Sequence, residues 1–206
     1  GFTALVCVSF EKSGAGLCTV AAAIADPERP DSRVYALRLV PPTDRASFVM
    51  GQQEGAGLAP EASAGFAPLL ERAKELSLDV RPLSFVSNTP GEDICDVAAV
   101  KRADLVLLGW HKPLLGNTML SGTVHDVMAS AKSDVAVLVD RGLDRIRRIL
   151  VPYLGSEHDN ACLHLAKRIG ESSGASVTIL HVVTPQPAAG SVGAQERKQH
   201  EFSESD

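Results

Sequence analysis

The chain has 206 residues, is 45% hydrophobic, and carries 25 acidic against 20 basic side chains, a formal charge of −5 at pH 7. That balance, with only 4% aromatic residues, excludes the basic, ring-studded surface that nucleic acid demands, so no nucleic-acid partner is expected. No apolar run is long enough to cross a bilayer, and the amino terminus lacks the charged and then apolar pattern of a signal peptide.

Leu5 to Val8 is a short apolar β run, followed by the turn-rich Glu11 to Gly16. Leu17, Val20, Ala21 and Ile24 then recur at three- and four-residue steps, the signature of a helix face, until Asp26-Pro27 stops it. Val34 to Val40 is the next strand, and the pair with its crossover helix makes a right-handed βαβ unit closed by Pro41-Pro42. Met50 to Gly65 reads as a mobile loop leading into a helix that starts near Pro60 or Glu61 and buries Phe66, Leu69, Leu70, Ala73 and Leu76. Leu78 to Val86 is a third strand, and Pro82 within it predicts an edge position, because proline cannot donate to a ladder. Thr89-Pro90-Gly91-Glu92 predicts a capping box opening a helix that buries Ile94, Val97 and Ala98.

The run Leu105 to Leu108 is too continuous for a half-solvated strand and reads as a central strand covered on both faces. Gly109 ends it, Gly122-Thr123 opens the next helix, and Val135 to Val139 is the fifth strand. Five strands alternating with four helices predict an α/β fold with an open, doubly wound parallel sheet. Its carboxyl edge is where such sheets bind ligands, and a helix opening there offers unpaired N–H groups to an anion.

The pattern then restarts. Arg148 to Val151 is a strand, Ser156 to Asp159 a capping box, Ala161, Cys162, Leu165, Ala166 and Ile169 a helix face ended by Gly170 and Gly174, and Ser176 to Val183 another strand. This is an internal duplication with a period of roughly 145 residues. The expected organisation is a first domain over 1–141, a partial second copy over 146–184 and a linker or frayed tail over 185–206. Two strands and one helix cannot cover both faces of a sheet, so the second copy leans on the first, on a partner chain, or on residues absent from this chain; the last is the expectation.

Cys7, Cys18, Cys95 and Cys162 show no C-x-x-C pair and read as buried thiols, three of them within apolar patterns. Trp110 reads as a cover for the sheet's carboxyl edge. His125 and Asp126 occupy adjacent helix positions that point about 100° apart, too divergent for general-base work. Asp104 and Asp126 have no ligand partner at a useful spacing, and no metal is expected.

The five-strand unit, its duplicated start and the glycine-bearing loop after the fourth strand resemble the universal stress protein fold of the HUP type. Nucleotide-binding members of that family carry G-2x-G-9x-G-(S/T) in this loop, and the resemblance places Gly109 at the first glycine, Lys112 at the second, Gly122 at the third and Thr123 at the hydroxyl. Ser9 takes the place of the family's aspartate after the first strand, and Leu154 does so in the second unit. The resemblance thus implies a ligand site of Ser9, Gly109, Lys112, Gly122 and Thr123 for an adenine nucleotide, or else a loop that only keeps the strand-to-helix geometry, with no cofactor. The phrase LLGWHKPLLGNTMLSGTVHDVM, with DVAVLVDRG and RRILVPYLGSEHDNACLHLAKRIG, is also similar to the carboxy-terminal cytosolic region of bacterial monovalent cation:proton antiporters of the CPA2 type. That resemblance implies a regulatory, non-catalytic region on the cytoplasmic face of the membrane. It further implies a covalently attached transmembrane domain that exchanges Na+ or K+ for protons, and a homodimer. The missing initiator methionine and the unfinished second copy fit an excised piece of such a protein.

Overall fold

The computed structural model describes residues 1–9, 13–42, 65–110 and 122–181. The elements run β1 (Thr3–Cys7), α1 (Gly14–Ala25), β2 (Arg33–Val40), α2 (Ala67–Glu75), β3 (Val80–Val86), α3 (Pro90–Lys101), β4 (Leu105–Gly109), α4 (Gly122–Ser130) and β5 (Asp134–Leu138). They are followed by β6 (Arg148–Tyr153), α5 (Glu157–Ser173) and β7 (Ser176–His181). The first five strands form one parallel sheet in the order β3-β2-β1-β4-β5. β6 and β7 form a second, two-stranded parallel sheet.

Side-chain alternation along β1 splits the first core in two. Ala4, Val6 and Val8 pack with Leu107 against Leu17, Cys18 and Ala21 of α1 and Leu69 and Ala73 of α2. Leu5 and Cys7, with Tyr35, Leu37, Val106 and Leu108, face Ile94 and Ala98 of α3 and Val124 and Val127 of α4. Helices therefore cover both faces, which is why Leu105 to Leu108 carries no polar alternation. Pro82 does lie in an edge strand, β3, where it stands opposite Ala36.

Several expected details differ. The start expected for α2 at Pro60 or Glu61 lies outside the described residues; the described helix begins at Ala67, with Phe66, Leu69 and Ala73 buried as expected and Leu70 and Leu76 half-buried. Thr89 stands at the amino end of α3, but its hydroxyl makes no capping bond. The Thr89 backbone, with ψ at 68°, is not in the extended conformation from which Ser156 caps α5, with ψ at 165°; the helical ladder starts from the Asp93 N–H donating to the Thr89 carbonyl at 3.0 Å. Gly170 does not end α5. The helix runs on to Ser173 and turns at Gly174, whose φ is 68°, and Gly170 instead admits β7, since a Cβ there would stand 2.9 Å from Val177 Cγ2.

The second copy rests on the first through α5 and α1. The Arg168 guanidinium lies 4.4 Å over the Phe2 ring and donates from Nε to the Ile24 carbonyl, while the Ser172 hydroxyl donates to the Ala23 carbonyl. Arg72 of α2 holds the connection between the copies: Nε donates to Thr19 Oγ1 at 3.1 Å and Nη2 to Asp144 Oδ1 at 2.9 Å. α5 meets α1 along this polar side, and its expected apolar face is covered only in part, with Leu165 and Ile169 half-buried. Only Ala166 of that helix is buried, and Ala161 and Cys162 are exposed.

Candidate functional site

The carboxyl edge of the first sheet is built by three βα units. β1 delivers Ser9 just past its last paired residues, where the Val8 N–H still donates to the Leu37 carbonyl at 2.8 Å. β4 ends at Gly109, and the Trp110 N–H donates to the Leu138 carbonyl at 2.8 Å, so the half-buried Trp110 continues the ladder beside β5. α4 opens at the exposed Gly122, where an added Cβ would meet nothing within 4 Å. Thr123 follows, half-buried.

Ser9 and Thr123 line one cleft of about 200 Å³, together with Cys7, Val8, Leu37, Leu39, Pro90 and Ile94. Gly122 adjoins it through Thr123, Gly109 lies at the end of the neighbouring strand, and Lys112 lies outside the described residues. Small-molecule clefts usually enclose about 300–1,000 Å³, so the part of this one formed by the described residues lies below that range. Two hydroxyls beside a helix amino end make a donor-rich, anion-favouring corner. Burial pushes the Cys7 thiol at its base up to about 12, with Cys95 adding to the effect, so this wall stays neutral.

Pro90 and Ile94 of α3 are the contribution to the cleft that chain order hides. α3 and α4 approach so closely at Gly91 that a Cβ there would lie 2.7 Å from Asp126 Cβ. The glycine after a proline at a helix start was the available signal, but it belongs to a different βα unit from the loop motif.

The remaining candidates separate. His125 and Asp126 do approach, Nδ1 to Oδ1 at 3.8 Å, against the divergence expected of adjacent positions; both side chains are mostly exposed, so water screens the pair. Asp104 precedes β4 at the opposite, amino edge and accepts from the Thr3 N–H at 2.7 Å, remote from Asp126 on α4. Among the described residues no three His, Cys, Asp or Glu side chains converge as a metal site. Cys7 and Cys18 are buried and Cys95 half-buried, whereas Cys162, expected inside, is exposed.

The sequence profile of the universal stress protein family matches residues 3–139 and again 145–205. The chain belongs to the universal stress protein family. Its second match begins where β6 begins to form, and the stress-protein fold of this chain is thus present once in full and once in part. A universal stress protein from Archaeoglobus fulgidus superposes with a TM-score of 0.50 at 18% identity, over 66% of this chain and 98% of its own. A second stress protein, from A. fulgidus DSM 4304, superposes with a TM-score of 0.59 at 13% identity, over 96% of this chain and 72% of its own. At these identities the likeness is one of fold.

Sequence relatives point to a larger context. Cation/H(+) antiporter 21 of Arabidopsis thaliana is 26% identical over 92% of this stress-protein chain, which covers 27% of that relative. Na(+)/H(+) antiporter NhaS5 of Synechocystis sp. is 32% identical over 54% of this chain and 17% of its own length. The chain is therefore similar to a stress-protein-like region of cation/proton antiporters and spans about a quarter or less of these relatives. No helix among the described residues is long and apolar enough to cross a membrane.

Proposed function

We propose that this chain is a non-catalytic regulatory unit that passes a signal to a covalently attached cation/proton antiport domain, from the cytoplasmic face of the membrane. The observation that carries it is the match to an antiporter across 92% of this chain but only 27% of the antiporter. The α/β unit supplies a rigid scaffold with helices on both sheet faces, and α5 and the Arg72 contact to Asp144 couple its two copies. Such a coupling can bias an attached domain only through a difference in contact energy between two of that domain's states. The transported ion would be Na+ or K+, and the unit would work as a homodimer. Deleting the unit from the intact transporter and measuring ion-dependent proton exchange tests this: a changed ion affinity or pH profile is expected, and unchanged affinity, profile and assembly would refute it.

A nucleotide sensor is the alternative, favoured by the shared cleft of Ser9 and Thr123 beside the open amino end of α4. In it Gly109, Gly122 and Thr123 hold phosphate and Lys112 supplies charge to an adenine nucleotide. Calorimetry with ATP, AMP and cyclic AMP decides: a complex lost on Gly122→Val supports the sensor, and no heat at millimolar ligand removes it.

A further inference from the structure

A cleft of about 790 Å³ lies at the other end of the first sheet, where α5 of the second copy crosses the amino ends of β4 and β5. It is nearly four times the size of the cleft at Ser9 and Thr123, which encloses about 200 Å³, and falls within the usual range for small-molecule sites. Its first-copy wall carries the apolar Phe2, Leu105, Val135 and Ala136 between the charged Arg29 and Asp134, and Leu165 of α5 lines the other side.

The charge in this cleft is unbalanced. Arg29, Lys167 and Arg168 line it against Asp134 and Glu171. Arg29 and Lys167 share Glu171 at 3.9 and 3.8 Å, and Arg29 also meets Asp26 at 3.0 Å. Arg168 has no such partner. Its half-buried guanidinium lies over the Phe2 ring and donates to the Ile24 carbonyl and, at 3.4 Å, to the Ser32 hydroxyl, both neutral acceptors. No described carboxylate lies within 4 Å of it. A partly desolvated guanidinium held against an aromatic ring, with donors left over, matches a carboxylate or phosphate far better than it matches water.

We propose that this cleft binds a dissolved single-chain amphiphile with an anionic head, the head on Arg168 and the apolar body against Phe2, Leu105 and Leu165. The site depends on both copies and is independent of the function proposed above. Dodecyl phosphate below its micellar concentration is the probe, titrated calorimetrically into the 206-residue chain. One equivalent is expected to bind, with inorganic phosphate and dodecyltrimethylammonium at least tenfold weaker.

Arg168→Met should weaken dodecyl phosphate tenfold or more. Because Arg168 also docks α5, Ala161→Trp is the second variant: Ala161 is exposed on the cleft wall, so the indole occupies part of the cleft without disturbing the core, and binding should weaken tenfold or more. Leu180→Ser, on the exposed face of β7, should leave binding unchanged. No binding, equal binding of the cationic amphiphile, binding unchanged by Arg168→Met or by Ala161→Trp, or binding lost in Leu180→Ser would each overturn the proposal. Co-sedimentation with vesicles of phosphatidylcholine and phosphatidate separates a bilayer source from a dissolved one. Protein left in the supernatant is expected, and any pelleting overturns the dissolved source.

Discussion

The two copies place the same residue type in opposite surroundings, and a pair of substitutions measures the difference. Leu5 of β1 and Leu150 of β6 stand 145 residues apart at equivalent positions, each flanked by residues that face the crossover helix. Leu5 is fully buried under α3 and α4, while Leu150 is 61% exposed on the face turned away from α5. Leu5→Ala removes a core side chain with no room to collapse between two helices and a sheet, so about 3–4 kcal/mol of stability should be lost. Leu150→Ala removes surface that water already reaches and should change stability by less than about 0.5 kcal/mol. Urea denaturation followed by circular dichroism reads both midpoints, and an unchanged slope certifies that stability itself moved. A loss above about 2 kcal/mol for Leu150→Ala would refute the reasoning, because it would mean that the bare face is covered in solution. The same comparison extends to Leu37 and Leu180, 1% and 48% exposed.

Arg72→Met should cost about 1 kcal/mol, a charged hydrogen-bond network discounted for the exposure of its acidic partners, Glu75 and Asp144 at 62% and 78%. A double-mutant cycle with Asp144→Ala should show positive coupling, and strict additivity would contradict the latch between α2 and the connecting segment. Asp159 accepts from the Ser156 and Leu154 N–H groups, at 2.9 and 3.0 Å, and these hold its carboxyl below the usual carboxylate range. Its folded value is depressed, so its contribution is present above the unfolded value of about 4 and lost as pH falls through the folded one. Amide exchange in the first turn of α5 should accelerate on that acidification, and Asp159→Asn should remove the pH dependence. Iodoacetamide at pH 8 should alkylate the exposed Cys162 in the native chain and spare Cys7 and Cys18, whose thiols burial pushes up to about 12; peptide mass spectrometry checks it, and equal labelling would contradict their burial.

What could be seen in the amino-acid sequence follows from how local each signal is. The uninterrupted run Leu105 to Leu108 announced a strand covered twice, Pro82 announced an edge, and Ser156 with Asp159 announced a capping box that forms in full, because each depends on neighbours a few residues away. Thr89 carried the same capping pattern and failed, since its backbone, with ψ at 68°, is not the extended one that Ser156 adopts. Gly170 resembled a helix end but answers to Val177 across a packing contact, which no periodicity reveals. Cys162 and Ala161 fit the apolar stripe of α5, yet the helix docks through Arg168 and Ser172, polar residues that a hydrophobic pattern assigns to solvent. At the candidate site Ser9 and Thr123 were readable as the ends of elements, and they do share a cleft. Pro90 and Ile94 come from the third βα unit, so only the assembled sheet brings them there.

The central claim is that this stress-protein unit regulates an attached antiporter, and transport in membrane vesicles tests it most directly. Ion-dependent proton exchange should be measured across pH for the intact transporter and for the same protein without this unit, at matched assembly and abundance. The account predicts a shifted pH profile or ion affinity with the exchange chemistry retained. Superimposable profiles and affinities would contradict it.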